Sequence, residues 1–309
     1  MSKPAVLFAG QGAQKTGMGR DLYEGNPAAR KLFDRAEAQM PGIRDMCFSG
    51  SQEELNKTIN TQPCVYTVDA AAWAAFESLG LPMGAAAGFS LGEYAALACA
   101  GVFTFEEGLT LVQKRAEWMQ AQAEKTGGGM AAVLGKTGAE VDAIVAGLNP
   151  QGVLQAVNYN CPGQTVVAGD EENLAAFLAY CKENKIKAMR LPVGGAFHSR
   201  AMEAVSGLIF DFIKPMDFHS PICPVYSNTL ARPYEAAELK EVLARQASSP
   251  VYFEQTLANL LQAGFDTFVE VGPGNTLSGF VRRMGVDVAV YNISGMESLE
   301  QATEGLKEK

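Results

Sequence analysis

Short apolar runs alternate with amphipathic helical stretches along most of this sequence, and no other feature restricts the fold as much. Apolar runs of strand length occur at residues 5–9, 84–87 and 267–271. Such alternation is typical of a parallel sheet covered by helices. A chain of 309 residues, 48% of them hydrophobic, can bury the core that this arrangement requires. The sequence therefore predicts an α/β fold.

Three consecutive glycines, residues 127–129, interrupt the pattern after a predicted helix over 105–125. The segments that follow are predicted in the order β-α-β-β-α-β, at 130–134, 139–148, 153–159, 164–168, 171–185 and 187–193. That order is the ferredoxin-like arrangement. Beyond residue 195 the first pattern returns. We therefore expect a large α/β domain (1–127 and 195–309) with a small, inserted, ferredoxin-like α+β subdomain (128–194).

The pentapeptide Gly88-Phe89-Ser90-Leu91-Gly92 has the form G-x-S-x-G. A small apolar strand precedes it and a helical stretch follows, as in the nucleophile turn of an α/β-hydrolase-like domain. The flanking glycines leave room for a strained backbone, and the helix N-terminus favours a developing anion. Ser90 is therefore the leading candidate for a nucleophile. The alternative is an ordinary helix cap, with glycines that serve close packing.

The chain contains only two histidines, so an imidazole that activates Ser90 must belong to His198 or His219. His198 follows the predicted re-entry into the large domain, where a loop over the active face is expected. His219 precedes a strand and is interpreted as a packed or surface residue. The sequence favours His198. No acidic residue is identifiable by spacing as the group that orients it, so a backbone carbonyl is an alternative.

Arg115 lies on the apolar side of the predicted helix over 105–125. An unpaired guanidinium is costly to bury, so Arg115 must find an anion or extend to solvent. It could pair with a structural carboxylate or await the carboxylate of a substrate. Arginine suits the second role because its planar fork binds a carboxylate through two parallel hydrogen bonds.

Composition excludes several classes of function. The net charge of −9 and the absence of a basic run argue against binding to nucleic acid. The six cysteines are scattered without a CxxC pair, which indicates reduced thiols, and no metal site is predicted. No basic leader precedes the first strand, and no apolar stretch has the length of a membrane span. We therefore expect a cytoplasmic protein that does not enter a membrane.

A specific combination of short stretches is distributed along the chain. Its members are residues 8–14, 61–63, 88–94, 115, 158–160, 162–164, 197–199, 225–228 and 270–274. Together they resemble the malonyl-CoA:acyl-carrier-protein transacylase family, and the resemblance runs nearly from end to end.

The resemblance implies roles for individual residues. Ser90 would carry the acyl group, His198 would be its base, and backbone N–H groups of Gln11 and Leu91 would form the oxyanion hole. A main-chain carbonyl within residues 250–252 would orient the histidine. Contacts to the substrate are implied for Arg115, which would bind the malonyl carboxylate, and for Gln62, Met119, Asn160, Gln164 and Phe197.

The implied activity is that of an S-malonyltransferase of fatty acid biosynthesis. Malonyl-CoA would acylate the serine, and the phosphopantetheine thiol of an acyl carrier protein would then accept the malonyl group. Malonyl-CoA is a substrate in this scheme and no cofactor is expected. The family's usual state is a monomer. Phe197 beside His198 resembles malonyl-selective rather than methylmalonyl-selective enzymes.

One departure from the family is Phe89, where many members have histidine, and we expect the chemistry to survive this change. Three other functions remain open. A trans-acting malonyl acyltransferase of a polyketide pathway would use a different carrier protein. A serine esterase shares G-x-S-x-G but needs no buried arginine. A non-enzymatic module that binds a carrier protein would have no need for Ser90, His198 and Arg115 together.

Overall fold

The structure, a computed structural model, describes residues 3–148 and 150–307. Its strands are β1 (Ala5–Phe8), β2 (Ala85–Gly88), β3 (Gly129–Leu134), β4 (Leu154–Cys161), β5 (Gln164–Gly169), β6 (Lys187–Arg190), β7 (Val225–Tyr226), β8 (Val251–Tyr252), β9 (Thr267–Val271) and β10 (Ala289–Ile293).

The α-helices of the described residues are α1 (Arg20–Gly25), α2 (Pro27–Gln39), α3 (Ile43–Ser49), α4 (Gln52–Leu55), α5 (Thr58–Glu77), α6 (Gly92–Cys99), α7 (Phe105–Thr126), α8 (Gly138–Gly147), α9 (Glu171–Glu183), α10 (Glu203–Ile213), α11 (Leu239–Arg245), α12 (Phe253–Gln262), α13 (Thr276–Arg283) and α14 (Met296–Lys307). Single 3₁₀ turns occur at Arg200–Met202 and Gln246–Ser248.

The first of two five-stranded sheets is parallel and has the order β10-β9-β1-β2-β7. Its central strand, β1, is buried along its whole length. Phe8 at the end of β1 is level with Gly88 of β2 and with Val271 of β9. The carboxyl ends of three strands therefore meet at one edge, where ligands of open α/β sheets bind.

The second sheet has the order β6-β3-β5-β4-β8. Its first four strands are antiparallel and arise in the sequence β3-α8-β4-β5-α9-β6, so the predicted ferredoxin-like pattern is confirmed. A fifth strand that the sequence did not predict, β8, adds in parallel to β4. The division at residues 127/128 and 194/195 stays a prediction. Residues 1–2, 149 and 308–309 of the predicted domains lie outside the described residues.

Helices α5 and α7 support the edge where the strands end. Nearly every residue of α5 is buried, and it packs against α2 and α7. Helix α7 begins with a capping box in which Thr104 Oγ1 accepts the Glu107 N–H and Glu107 Oε2 accepts the Thr104 N–H. The capping box fixes where α7 starts, and Arg115 is among the residues that this helix buries.

No helix in the part of the chain that the structure describes is long and apolar enough to span a membrane.

Candidate active site

Ser90 occupies the turn between β2 and α6. Its φ of 53° is unusual for a residue with a side chain, and its N–H donates to Asn228 Oδ1 at 2.7 Å. A Cβ on Gly88 would lie 1.9 Å from the backbone carbon of Gly92, so this turn can close only with glycine at its start. The predicted strand, turn and helix thus lift the Ser90 hydroxyl to the end of the sheet.

His198 lies opposite Ser90, on the segment that follows β6. Its Nε2 is 2.7 Å from Ser90 Oγ, and its Nδ1 is 3.0 Å from Gln246 O and 3.2 Å from Ser249 O. Because carbonyl oxygens only accept hydrogen bonds, Nδ1 carries the proton and Nε2 accepts from the Ser90 hydroxyl. The prediction of a carbonyl within residues 250–252 is wrong in position. The 3₁₀ turn at Gln246–Ser248 aims earlier carbonyls at the ring.

The imidazole of His198 is buried and stays neutral. Burial, and secondly the positive charge of Arg115, lower its pKa to about 4, against the opposing effect of the two carbonyls. A neutral ring can take the proton of Ser90 at physiological pH. His219, in contrast, lies exposed and its backbone N–H bonds to Val102 O, as the sequence interpretation expected.

Arg115 projects from α7 towards the same point. Its Nη1 donates to Gln62 Oε1 at 2.7 Å and its Nη2 to Gln246 Oε1 at 3.0 Å, with Ser90 Oγ 3.4 Å from Nη2. The side chain is 1% exposed and its Nε has no partner among the described residues. Within residues 3–148 and 150–307 Arg115 forms no ion pair, so the alternative of a structural carboxylate partner is not observed.

A buried polar network beneath these groups escaped the sequence analysis. Glu93 Oε1 accepts from the Tyr234 hydroxyl at 2.6 Å and from the Asn228 N–H at 2.9 Å, while Oε2 accepts from Gln246 Nε2 at 2.6 Å. Burial raises the pKa of Glu93 to about 7 against these hydrogen bonds and the charge of Arg115. The only signal in the sequence is an acidic residue at the start of an otherwise apolar helical stretch.

Ser90, His198 and Arg115 line a cavity with a volume of about 230 Å³. Five other predicted site residues also line it: Gln11, Met119, Asn160, Gln164 and Phe197. Two predicted residues do not. Gln62 lies behind Arg115 and holds its guanidinium, and Leu91 is buried at the N-cap of α6.

Part of the cavity wall comes from the second sheet. Asn158 and Asn160 of β4 are buried, and their Oδ1 atoms have no hydrogen-bond partner among the residues described. Gln164 Oε1 accepts from Arg283 Nη1 at 3.0 Å. These amides give an otherwise apolar cavity a few polar atoms, which is typical of a site for an organic ligand. Asn158 was not singled out as a site residue.

The described residues contain no group of three or more His, Cys, Asp or Glu side chains that could hold a metal ion. The six cysteines are free thiols and five of them are buried.

Fold and site together define an α/β acyl transferase, and a family model described as an acyl transferase domain matches residues 6–303. The malonyl CoA-acyl carrier protein transacylase of Bacillus subtilis (strain 168) is 37% identical over 313 residues, covering 100% of this chain and 99% of the relative. The chain therefore belongs to the acyl transferase family, and within it to the malonyl CoA-acyl carrier protein transacylases. The resemblance found in the sequence is confirmed.

Solved structures agree. The crystal structure of the malonyl CoA-acyl carrier protein transacylase from Clostridium perfringens ATCC 13124 has a TM-score of 0.95 at 35% identity, covering 99% of this chain and 98% of that one. A malonyl-transacylase in complex with its type II PKS acyl-carrier protein has a TM-score of 0.94 at 30% identity, covering 98% and 100% of the two chains.

Proposed function

We propose that this chain transfers the malonyl group of malonyl-CoA to the phosphopantetheine thiol of an acyl carrier protein, as in fatty acid biosynthesis. The observation that carries the proposal is the 2.7 Å contact between Ser90 Oγ and His198 Nε2, in a cavity that also holds the guanidinium of Arg115. The activity named for the relatives supports the same reaction.

In the first half-reaction Ser90 is the nucleophile and His198 the base. Nε2 takes the hydroxyl proton while Oγ attacks the thioester carbonyl of malonyl-CoA. The tetrahedral intermediate then collapses, the carbon–sulfur bond breaks, and His198 returns the proton to the departing sulfur of coenzyme A. The product of this half-reaction is a malonyl ester on Ser90.

The oxyanion of the intermediate would be stabilised by the backbone N–H groups of Leu91 and Gln11. Leu91 is the N-cap of α6, so its N–H belongs to the positive end of a helix dipole. Gln11 follows the end of β1 and lines the cavity beside Ser90. Two donors from separate segments can bind one oxygen only if the fold holds both rigidly, which the buried β1 provides.

Arg115 would bind the free carboxylate of the malonyl group. The guanidinium has five N–H donors, and hydrogen bonds to Gln62 and Gln246 use only part of them. Both partners are neutral, so the positive charge is not offset by an ion pair. Gln62 would therefore act by holding Arg115 in place, and acetyl-CoA would lack the group that Arg115 binds.

In the second half-reaction the phosphopantetheine thiol enters the same cavity. Nε2 of His198 takes the thiol proton, the sulfur attacks the malonyl ester, and Ser90 leaves with the proton restored. Met119, Phe197, Asn160 and Gln164 line the cavity and would contact the acyl group or the arm that carries the thiol.

We propose further that the reaction needs no cofactor, because acid, base and electrostatic stabilisation all come from the chain. Residues 128–194 form an inserted subdomain of the acyltransferase domain (1–127 and 195–309), which is supported by a second sheet drawn mainly from Gly129–Leu134 to Lys187–Arg190. The protein acts in the cytoplasm, and its free thiols suit a reducing compartment.

A carrier protein of a polyketide pathway is the second candidate acceptor. It is favoured by the similarity to a malonyl-transacylase in complex with its type II PKS acyl-carrier protein. The chemistry is the same, so only the acceptor differs. Rates of malonyl transfer to a fatty acid carrier protein and to a type II polyketide carrier protein would separate the two.

Intact-protein mass spectrometry tests the proposed function directly. The enzyme is mixed separately with malonyl-CoA, acetyl-CoA and methylmalonyl-CoA. Malonyl-CoA should give a stable adduct of malonyl mass, which is absent in Ser90→Ala and is discharged by carrier protein. An adduct that decays in water without carrier would indicate an esterase. If none of the three donors gives an adduct, the proposal is contradicted.

A further inference from the structure

Glu93 is a buried carboxyl group that the proposed mechanism does not use. It lies in the first turn of α6, three residues after Ser90, and is fully buried. A carboxylate at this end of a helix usually caps the helix or faces solvent. Glu93 instead turns inward and accepts three hydrogen bonds, from Tyr234, Asn228 and Gln246. We therefore asked which neighbouring group these hydrogen bonds hold in place.

Gln246 connects Glu93 to Ser90, Arg115 and His198. Its Nε2 donates both to Glu93 Oε2 at 2.6 Å and to Ser90 O at 2.7 Å. Its Oε1 accepts from Arg115 Nη2 at 3.0 Å, and its backbone carbonyl accepts from His198 Nδ1 at 3.0 Å. The orientation of this one amide therefore affects the nucleophile and the guanidinium together.

An ionised carboxylate can only accept hydrogen bonds, whereas the two ends of an amide differ. Glu93 as a carboxylate therefore requires Gln246 to present Nε2 to it, which leaves Oε1 facing Arg115. A reversed amide would place its NH₂ group against the guanidinium of Arg115, and its oxygen against two other acceptors, Ser90 O and Glu93 Oε2. Glu93, together with the Ser90 carbonyl, thus selects the orientation in which Arg115 has an acceptor.

The same arrangement keeps the fork of Arg115 available. Glu93 is a negative charge near enough to affect Arg115, yet the amide of Gln246 lies between them and no ion pair forms among the residues described. A direct ion pair would occupy N–H groups that a ligand carboxylate needs. Charge balance through an intervening amide avoids that competition.

We propose that Glu93 is a positioning residue, which fixes the amide of Gln246 so that Arg115 stays aimed at the carboxylate of the acyl donor. The inference rests on the proposed function, because that carboxylate belongs to the malonyl group. Glu93 does not contact the reacting atoms and acts only through Gln246 and Asn228.

The decisive variant is Glu93→Gln, measured at pH 8, where Glu93 of the parent enzyme is ionised because its pKa is about 7. The new amide still accepts from Asn228 and Tyr234, but its NH₂ faces the NH₂ of Gln246, so that only Ser90 O still holds Gln246 in the orientation that serves Arg115. We expect the malonyl-to-acetyl ratio of kcat/KM to fall by roughly tenfold to a hundredfold, as for loss of a hydrogen bond to a charged group.

The matched control is Tyr234→Phe, which removes one hydrogen bond to Glu93 without touching Gln246. This variant should leave the malonyl-to-acetyl ratio of kcat/KM within about threefold of the parent value. Any purely structural effect should lower kcat/KM by a similar factor for both donors, and the ratio would then not change. Equal falls of the ratio in both variants would overturn the inference. If Glu93→Gln does not fold, Glu93→Asp replaces it, because the shorter carboxylate no longer reaches Gln246 Nε2.

A second measurement separates this inference from the proposed function. Phenylmethylsulfonyl fluoride labels an activated serine, and free malonate should protect Ser90 by occupying Arg115 without any acyl transfer. Protection should require roughly tenfold or more malonate in Glu93→Gln than in the parent enzyme. If malonyl-CoA gives no adduct but malonate protection shifts as expected, only the proposed function fails. Unchanged protection, or none in the parent, would refute the role of Glu93.

Discussion

Replacing Arg115 by alanine should abolish the preference for a donor with a free carboxylate. The guanidinium reaches Gln62 through Nη1 and Gln246 through Nη2, and its Nε has no partner among the described residues. Of five N–H donors, two make these short bonds. The remaining donors can bind a malonyl carboxylate through two parallel hydrogen bonds, while acetyl offers no acceptor in that place.

The size of the effect follows from those two bonds. A hydrogen bond to a charged group contributes about 1.5 kcal/mol or more, so two contribute about 3 kcal/mol. At 1.36 kcal/mol for each factor of ten, kcat/KM for malonyl-CoA should fall by roughly a hundredfold. Acetyl transfer should be retained or improved, because the variant removes a charge that no acetyl group offsets.

The assay is the rate at which the Ser90 adduct forms from malonyl-CoA and from acetyl-CoA, followed by intact mass. Arg35→Ala is the matched control, since Arg35 forms an exposed ion pair with Glu106 and should leave both rates unchanged. The reasoning is wrong if Arg115→Ala turns over malonyl-CoA as well as the parent does. It is also wrong if both donors lose the same factor, because a general loss of structure would then explain the result.

Two further predictions concern the base and the turn. The ring of His198 should remain neutral down to about pH 4 because burial and the nearby guanidinium lower its pKa. NMR titration of His219→Asn, which leaves His198 as the only histidine, checks this, and titration near the ordinary pKa of about 6.5 would contradict it. Gly92→Ala would place a Cβ 2.2 Å from Phe8 O and should lower the free energy of unfolding by about 3 kcal/mol or more. Gly207→Ala, at an exposed helical glycine with no atom within 4 Å of the new Cβ, should raise it by up to about 1 kcal/mol in the same urea titration.

The sequence predicted those parts of the molecule that local pattern determines. The turn at Ser90 is set by residues within a few positions of it, and the order of elements from β3 to β6 follows from apolar periodicity and glycines. Arg115 was placed on the buried side of its helix by the helical period alone, and the structure has it 1% exposed. Short-range patterns of this kind can be interpreted from sequence because helices and strands repeat their side-chain directions with fixed periods.

The polar network beneath the site could not be predicted in the same way. Asn228 lies 135 residues from Glu93 and Gln246 lies 153 residues from it, so no local spacing relates them. The orienting carbonyls of Gln246 and Ser249 precede the segment expected from the resemblance, because a 3₁₀ turn brings them to the ring. Strand β8 joins the second sheet through only two residues, too few to show a period of two.

Arg115 affects His198, in addition to its proposed role of binding the malonyl carboxylate. Its positive charge lowers the pKa of the imidazole, second only to burial. A malonyl carboxylate bound to the guanidinium would offset that charge and raise the pKa of His198, which strengthens the base at the step where it takes the Ser90 proton. Acetyl-CoA cannot do this, so discrimination against acetyl should also appear in the acylation rate at saturating donor. Discrimination confined to KM would mean that Arg115 only binds the carboxylate and has no influence on the base.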